Sequence, residues 1–125
     1  VIWEVKNMNV QNEQASYKSM EKEIKDIFIK IRQITFGNNF LARNNILLKE
    51  EDFPYSSINN AKSMQLIFKV RQVLFSIDEA DRIFIINEFY YQDNKWWFPL
   101  HSRSSYYRKK KHAMVMFLKY YNSCL

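Results

Sequence analysis

From Asn12 to Thr35 the apolar positions are Tyr17, Met20, Ile24, Ile27, Phe28, Ile31 and Ile34. Steps of three and four define the stripe of an amphipathic helix. Lys18, Glu21, Lys22 and Lys25 fall on its polar side, and Gly37 stands where such a helix would stop. Residues 1–11 show no period and predict an arm or short extended segment. Residues 38–57, which contain Pro54, predict a loop with at most a short helical turn.

The same rhythm returns over residues 57–75. Ser57 is the expected N-cap, and Ile58, Ala61, Met64, Ile67, Phe68, Arg71 and Leu74 form the stripe. Ser76 and Glu79 then make a Ser-x-x-Glu capping box. It opens a third helix whose stripe is Ile77, Ala80, Ile83, Phe84, Asn87 and Tyr91. In the stretch YYQDNKWWFPLH, Asp93-Asn94 predicts a turn, and Pro99 is incompatible with a regular helix interior. Trp96 and Trp97 are expected to anchor this connection to the core. Ser102 supplies the N-cap of a last helix reaching about Tyr121.

Composition agrees with the periodicity. The chain of 125 residues has the size of one domain, and 17% aromatic residues give it material for a core. One Gly and two Pro leave too few turn residues for a sandwich or barrel. Lone Cys124 excludes an intrachain disulfide framework or a multi-thiolate zinc site, and its expected setting is reducing. No apolar run is long enough to cross a membrane, and no secretory signal pattern opens the chain, so the expected location is cytoplasmic. The expectation is a single all-α domain.

Charge changes the picture when it is located. Residues 1–101 hold equal numbers of cationic and acidic side chains, so the net charge of +6 lies entirely in residues 102–125. Such asymmetry points to an anionic partner for the C-terminal segment. On a helical wheel Tyr106, Ala113, Met114, Phe117, Tyr120 and Tyr121 gather on one side. Ser104, Ser105, Arg108, Lys111, His112 and Lys119 gather on the other, with Lys109 at its edge. Lys110 falls within the apolar stripe, so its stem is expected along the core with its ammonium reaching water. A helix of this kind fits the major groove, with its first turns at base edges and flanking cations at phosphates. Its N-terminus offers free N–H groups to a phosphate.

The segment SRSSYYRKKKHAM resembles the recognition helix of the helix-turn-helix in region 4 of sigma-70-type factors and related phage-type regulators. Ser102 takes the cap position, Arg103 the following Arg, Ser105 the Thr position and Tyr106 the buried Val/Ile position. His112 takes the basic position, and Ala113 with Met114 the Ala-Leu pair. The chain also looks like small sigma-region-4-like proteins of AT-rich, minimal-genome bacteria. The resemblance covers roughly residues 77–121 and is carried by the last helix. Where that family has a Glu-Ile-Ala helix and a Gly turn, this chain has NKWWFPLH. Either the tryptophans replace that helix with a compact aromatic turn, or the likeness is superficial.

The fold expected is therefore an all-α helical bundle in which residues 12–76 support a C-terminal helix-turn-helix-like unit, residues 77–125. The resemblance implies double-stranded DNA as partner, with RNA polymerase as a further one. Arg103, Ser104, Tyr107 and Arg108 are the candidate base readers, and Lys109, Lys111, His112 and Lys119 the candidate phosphate contacts. The rivals are RNA or single-strand binding through Tyr106, Tyr107 and the tryptophans, and a protein-interaction module for an acidic partner. A membrane-surface helix would strip Tyr106, Ala113 and Phe117 from the core. Gly37 alone cannot build a phosphate loop, and His101 and His112 lack ligand spacing. Glu50, Glu51 and Asp52 have no second group converging on them, so neither an enzyme nor a cofactor is expected.

Overall fold

Four helices carry the chain in the computed structural model, which describes residues 2–36, 58, 60–93 and 95–123, with side chains in the first helix described from Ser16 onward. They are α1 (Ile2–Phe36), α2 (Ala61–Ser76), α3 (Glu79–Ile85) and α4 (Arg103–Ser123). A π-helical turn, Ile86–Tyr90, continues α3. No strand occurs among the described residues, and the helices pack as an all-α bundle. α3 and α4 make the most extensive contact, while α1 crosses both α4 and the π turn.

α1 follows its predicted stripe. Ile24, Ile27, Phe28 and Ile31 are buried, and Tyr17, Met20 and Ile34 pack at the edge of the core. Its backbone also takes in residues 2–11, which correct the expected extended arm. Gly37, residues 38–57 with the acidic run Glu50-Glu51-Asp52, Asn94 and Cys124 lie outside the described residues.

α2 begins three residues later than its stripe suggested. Asn60 is its N-cap, its side chain accepting from the N–H groups of Lys62 at 2.8 Å and Ser63 at 3.2 Å. The capping box at Ser76 does not form. Ser76 still belongs to α2 and donates its hydroxyl to the Gln72 carbonyl at 2.6 Å, so Asp78 takes the N-cap position of α3.

The phase of α3 also differs from the prediction. Ile77 and Phe84 are buried as expected, but Ala80, Ile83 and Tyr91 face outward, and Ile85, Ile86, Phe89 and Tyr90 are buried instead. The π turn that follows is closed by the Tyr91 N–H on the Ile86 carbonyl at 2.9 Å. The pairs Ile85-Ile86 and Phe89-Tyr90, one turn apart, both point inward. Gln92 ends the run at φ 58°, a left-handed conformation, and its side-chain amide oxygen accepts from the Arg32 guanidinium of α1. In α2, too, Phe68 faces outward and Val70 and Val73 inward.

Phe28 is the hub of the core, with ring centroids 6.3 Å from Phe89 and 5.7 Å from Phe117. Beside it lies a buried ionic cluster. Lys110 of α4 donates to Glu21 of α1 and stands 3.6 Å from Glu88 in the π turn, and the Tyr106 hydroxyl donates to Glu88. Tyr17, Phe89 and Tyr106 surround the ammonium at 5.8–5.9 Å, within cation–π range. Lys110 is only 8% exposed, so its head ends in this cluster and not in water. Glu21, expected on the polar side of α1, is drawn in by the same contact.

The charges in the cluster shift one another. Burial works against the ammonium of Lys110, but the Glu21 hydrogen bond and the charges of Glu88 and Glu21 prevail and raise its pKa. Burial alone would raise Glu21, yet Lys110 and Lys25 hold it below the usual carboxylate value. Burial pushes Glu88 above that value despite Lys110.

Replacing Lys110 by Met leaves two acids facing a space without a cation. A loss of about 3–5 kcal/mol in urea denaturation at neutral pH is expected. Glu21 titrates lower in the fold than in the unfolded chain. Its contribution is complete above the ordinary Glu pKa of about 4.3 and is lost as pH falls through the lowered value. Glu88, with its raised value, takes up a proton more readily in the fold and so opposes Glu21 on acidification. The stability gap between the wild type and Glu21→Gln, followed by urea midpoints, is therefore expected to shrink on acidification below that pKa. A gap that stays constant with pH would contradict the pairing.

Candidate nucleic-acid interface

α4 starts where Ser102 can cap it. The Ser105 N–H donates to the Ser102 hydroxyl at 3.3 Å, and the Tyr106 N–H to the Ser102 carbonyl at 2.9 Å. No acid occupies the first turn, so the partial positive charge of the helix start adds to the side-chain charge. Tyr106, Lys110, Ala113, Met114, Phe117 and Leu118 are buried and set the rotation of the helix. Leu118 replaces the expected Tyr120, which is outward.

Every candidate contact residue lies on the exposed surface: Arg103, Ser104, Tyr107 and Arg108, then Lys109, Lys111, His112 and Lys119. Their arrangement is not uniform. Ser104, Arg108, Lys111 and Lys119 share a sector about 80° wide at 100° per residue. Val115, 41% exposed, sits within that sector, an apolar contact that charge-based reasoning passed over. The sector runs the length of a helix of 21 residues, about 30 Å. Arg103 and Tyr107 border it on one flank, with the Tyr107 ring edge-on to Tyr106 at 5.0 Å. Lys109 lies about 100° from Arg108 on the other flank. Its ammonium is 3.2 Å from Nδ1 of His101.

His112 differs from the other candidates. Its Nδ1 is 3.0 Å from the carboxylate of Asp81, a buried acid of α3, so part of its bonding capacity is spent inside the protein. Asp81 lies 31 residues upstream, and nothing in the local sequence announces the pair. By contrast, no ion pair to a described acid is made by Arg103, Arg108, Lys111 or Lys119.

The segment between the π turn and α4 is a compact aromatic turn. The Lys95 N–H donates to the Asp93 side chain at 3.0 Å. The carbonyl of Trp97 accepts from both Leu100 and His101, bending the chain around Pro99. Trp96 meets Phe84 edge-on at 4.9 Å, and Trp97 stacks on Tyr106 at 4.5 Å. Residues 91–102, which join the π turn to α4, are longer than the three- or four-residue turn of a helix-turn-helix.

No protein-family model, curated protein or solved structure matches this chain. Among the described residues no helix is long and apolar enough to cross a membrane, and no acidic, His or Cys cluster could hold a metal ion.

Removing the Ser102 hydroxyl frees the amide that it caps. Ser102→Ala is expected to cost about 1 kcal/mol and Ser102→Gly only a few tenths, measured by urea denaturation. Equal losses from both would mean that the hydroxyl is not the cap.

Proposed function

We propose that the protein binds double-stranded DNA through the exposed basic face of α4 and acts in transcription regulation, alone or beside RNA polymerase. The observation that carries this reading is the sorting of the cationic run. Lys110 is buried with its own acids, while Arg108, Lys111 and Lys119 lie along one exposed sector with none. Long-range attraction to an anion needs such uncompensated charge, and a regular helix presents it at a spacing that suits a groove flanked by phosphates.

Arg103, Ser104, Tyr107 and Arg108, on the first two turns, are the proposed base readers. Lys109, Lys111 and Lys119 are the proposed phosphate contacts, with His112 a lesser one because Asp81 already offsets it. The resemblance of α4 to a sigma region 4 recognition helix supports the same assignment. A purely single-stranded ligand is less well served. Of the four rings that could stack on its bases, Tyr106, Trp96 and Trp97 are engaged with one another and with Phe84, which leaves Tyr107 as the exposed one.

Fluorescence anisotropy with a random duplex, a single strand and an RNA hairpin across a salt series tests this. About four phosphate contacts predict a duplex slope of log K against log salt near −3 to −4. Lys111→Ala is expected to weaken all duplexes alike and reduce the slope by about one. On a selected site, Arg108→Ala is expected to relax sequence preference at a cost of about 1–3 kcal/mol. Binding confined to the single strand or the hairpin would overturn the duplex reading.

A further inference from the structure

α3 and the aromatic turn leave apolar side chains on the surface. Ile83 is 46% exposed and Leu100 69% exposed, and with Phe84 and Trp96 they form the floor of a cleft between α3, the aromatic turn and α4. The cleft encloses about 560 Å³, within the range of about 300–1,000 Å³ typical of small-molecule sites. Most of the surface exposed in it is apolar, and the charged side chains at its edges are segregated.

On the α4 side stand Arg108 and Lys109. Arg108 has no acidic partner among the described residues. Lys109 is held by His101, and because an ammonium can only donate, the His101 nitrogen that it meets serves as an acceptor. The lysine is therefore positioned without being neutralised. On the α3 side Asp81 is occupied by His112, and Asp78 repels a second negative charge.

We propose that this cleft binds a small aromatic carboxylate, its ring over Phe84, Ile83 and Trp96 and its carboxylate between Arg108 and Lys109. Apolar surface supplies contact area for the ring, and the two cations fix its direction. Arg108 also belongs to the DNA-facing sector, so an occupied cleft draws this guanidinium away from a base edge and weakens duplex binding. That consequence rests on the duplex reading; the cleft itself does not.

The test follows the Trp96 indole N–H resonance, assigned with Trp96→Phe, during titration with naphthoate and, separately, with naphthylmethylamine and naphthalenemethanol. Naphthoate is expected to shift the resonance and saturate, with the alcohol weaker and the amine weakest. Arg108→Gln and Lys109→Gln, both at exposed positions, are each expected to weaken naphthoate about tenfold while leaving the alcohol unchanged. An equal response to all three compounds would reduce the cleft to an unselective apolar surface, and no response to naphthoate would remove it as a site. Either result overturns the proposal. Titration without DNA is blind to the duplex reading. If naphthoate saturates the cleft and a bound duplex is not displaced, only the link between the two sites falls.

Discussion

The buried ammonium of Lys110 is the constraint from which the arrangement of the C-terminal helix follows. An isolated charge in a core is untenable, so Lys110 can be inside only where Glu21 and Glu88 meet it. Those carboxylates come from α1 and from the π turn, on two different elements, and together they specify one rotation of α4. A turn of about 100° either way would bury Lys109 or Lys111 in place of Lys110, or expose Phe117 and Met114. Neighbouring cations in one run are thereby given opposite roles. One ties three helices together, and those on either side are left in water with charge to spare.

The π turn and the aromatic segment prepare that meeting. From the π turn Glu88 reaches Lys110 of α4, while Phe89 and Tyr90 pack on Phe28 of α1. Trp97 then stacks on Tyr106, whose hydroxyl donates to Glu88, so the segment entering α4 is tied to the same acid that holds Lys110. Aromatic pairs of this kind contribute roughly 0.5–1.5 kcal/mol each beyond burial. The helix that carries the charge is thus positioned at its first turn and again one turn later.

Much of this was legible in the sequence, and the failures have physical causes. α1 is legible from Tyr17 onward because its apolar residues recur at steps of three and four between charged ones, which marks one face for burial. The start of α4 was legible because Ser102 is a strong cap, and its basic face because no acid interrupts it. α3 was misread because Ile83-Phe84-Ile85-Ile86 is apolar all round, and such a run does not select a face. A π turn then changes the period itself. Lys110 was recognised as lying in the apolar stripe, but its partners stand 89 and 22 residues away, and no local pattern reports a pairing at that distance. The Asp81–His112 contact escaped notice for the same reason.

The most direct test is lysine footprinting by acetylation and mass spectrometry, on the free protein and on the protein with duplex DNA. The account predicts rapid modification of Lys109, Lys111 and Lys119 in the free protein, with Lys110 resistant under both conditions. Added duplex is predicted to protect Lys111 and Lys119. Modification of Lys110 at the rate of its neighbours would contradict the ionic cluster. Unchanged modification of Lys111 and Lys119 under saturating duplex would contradict the basic face as a DNA surface.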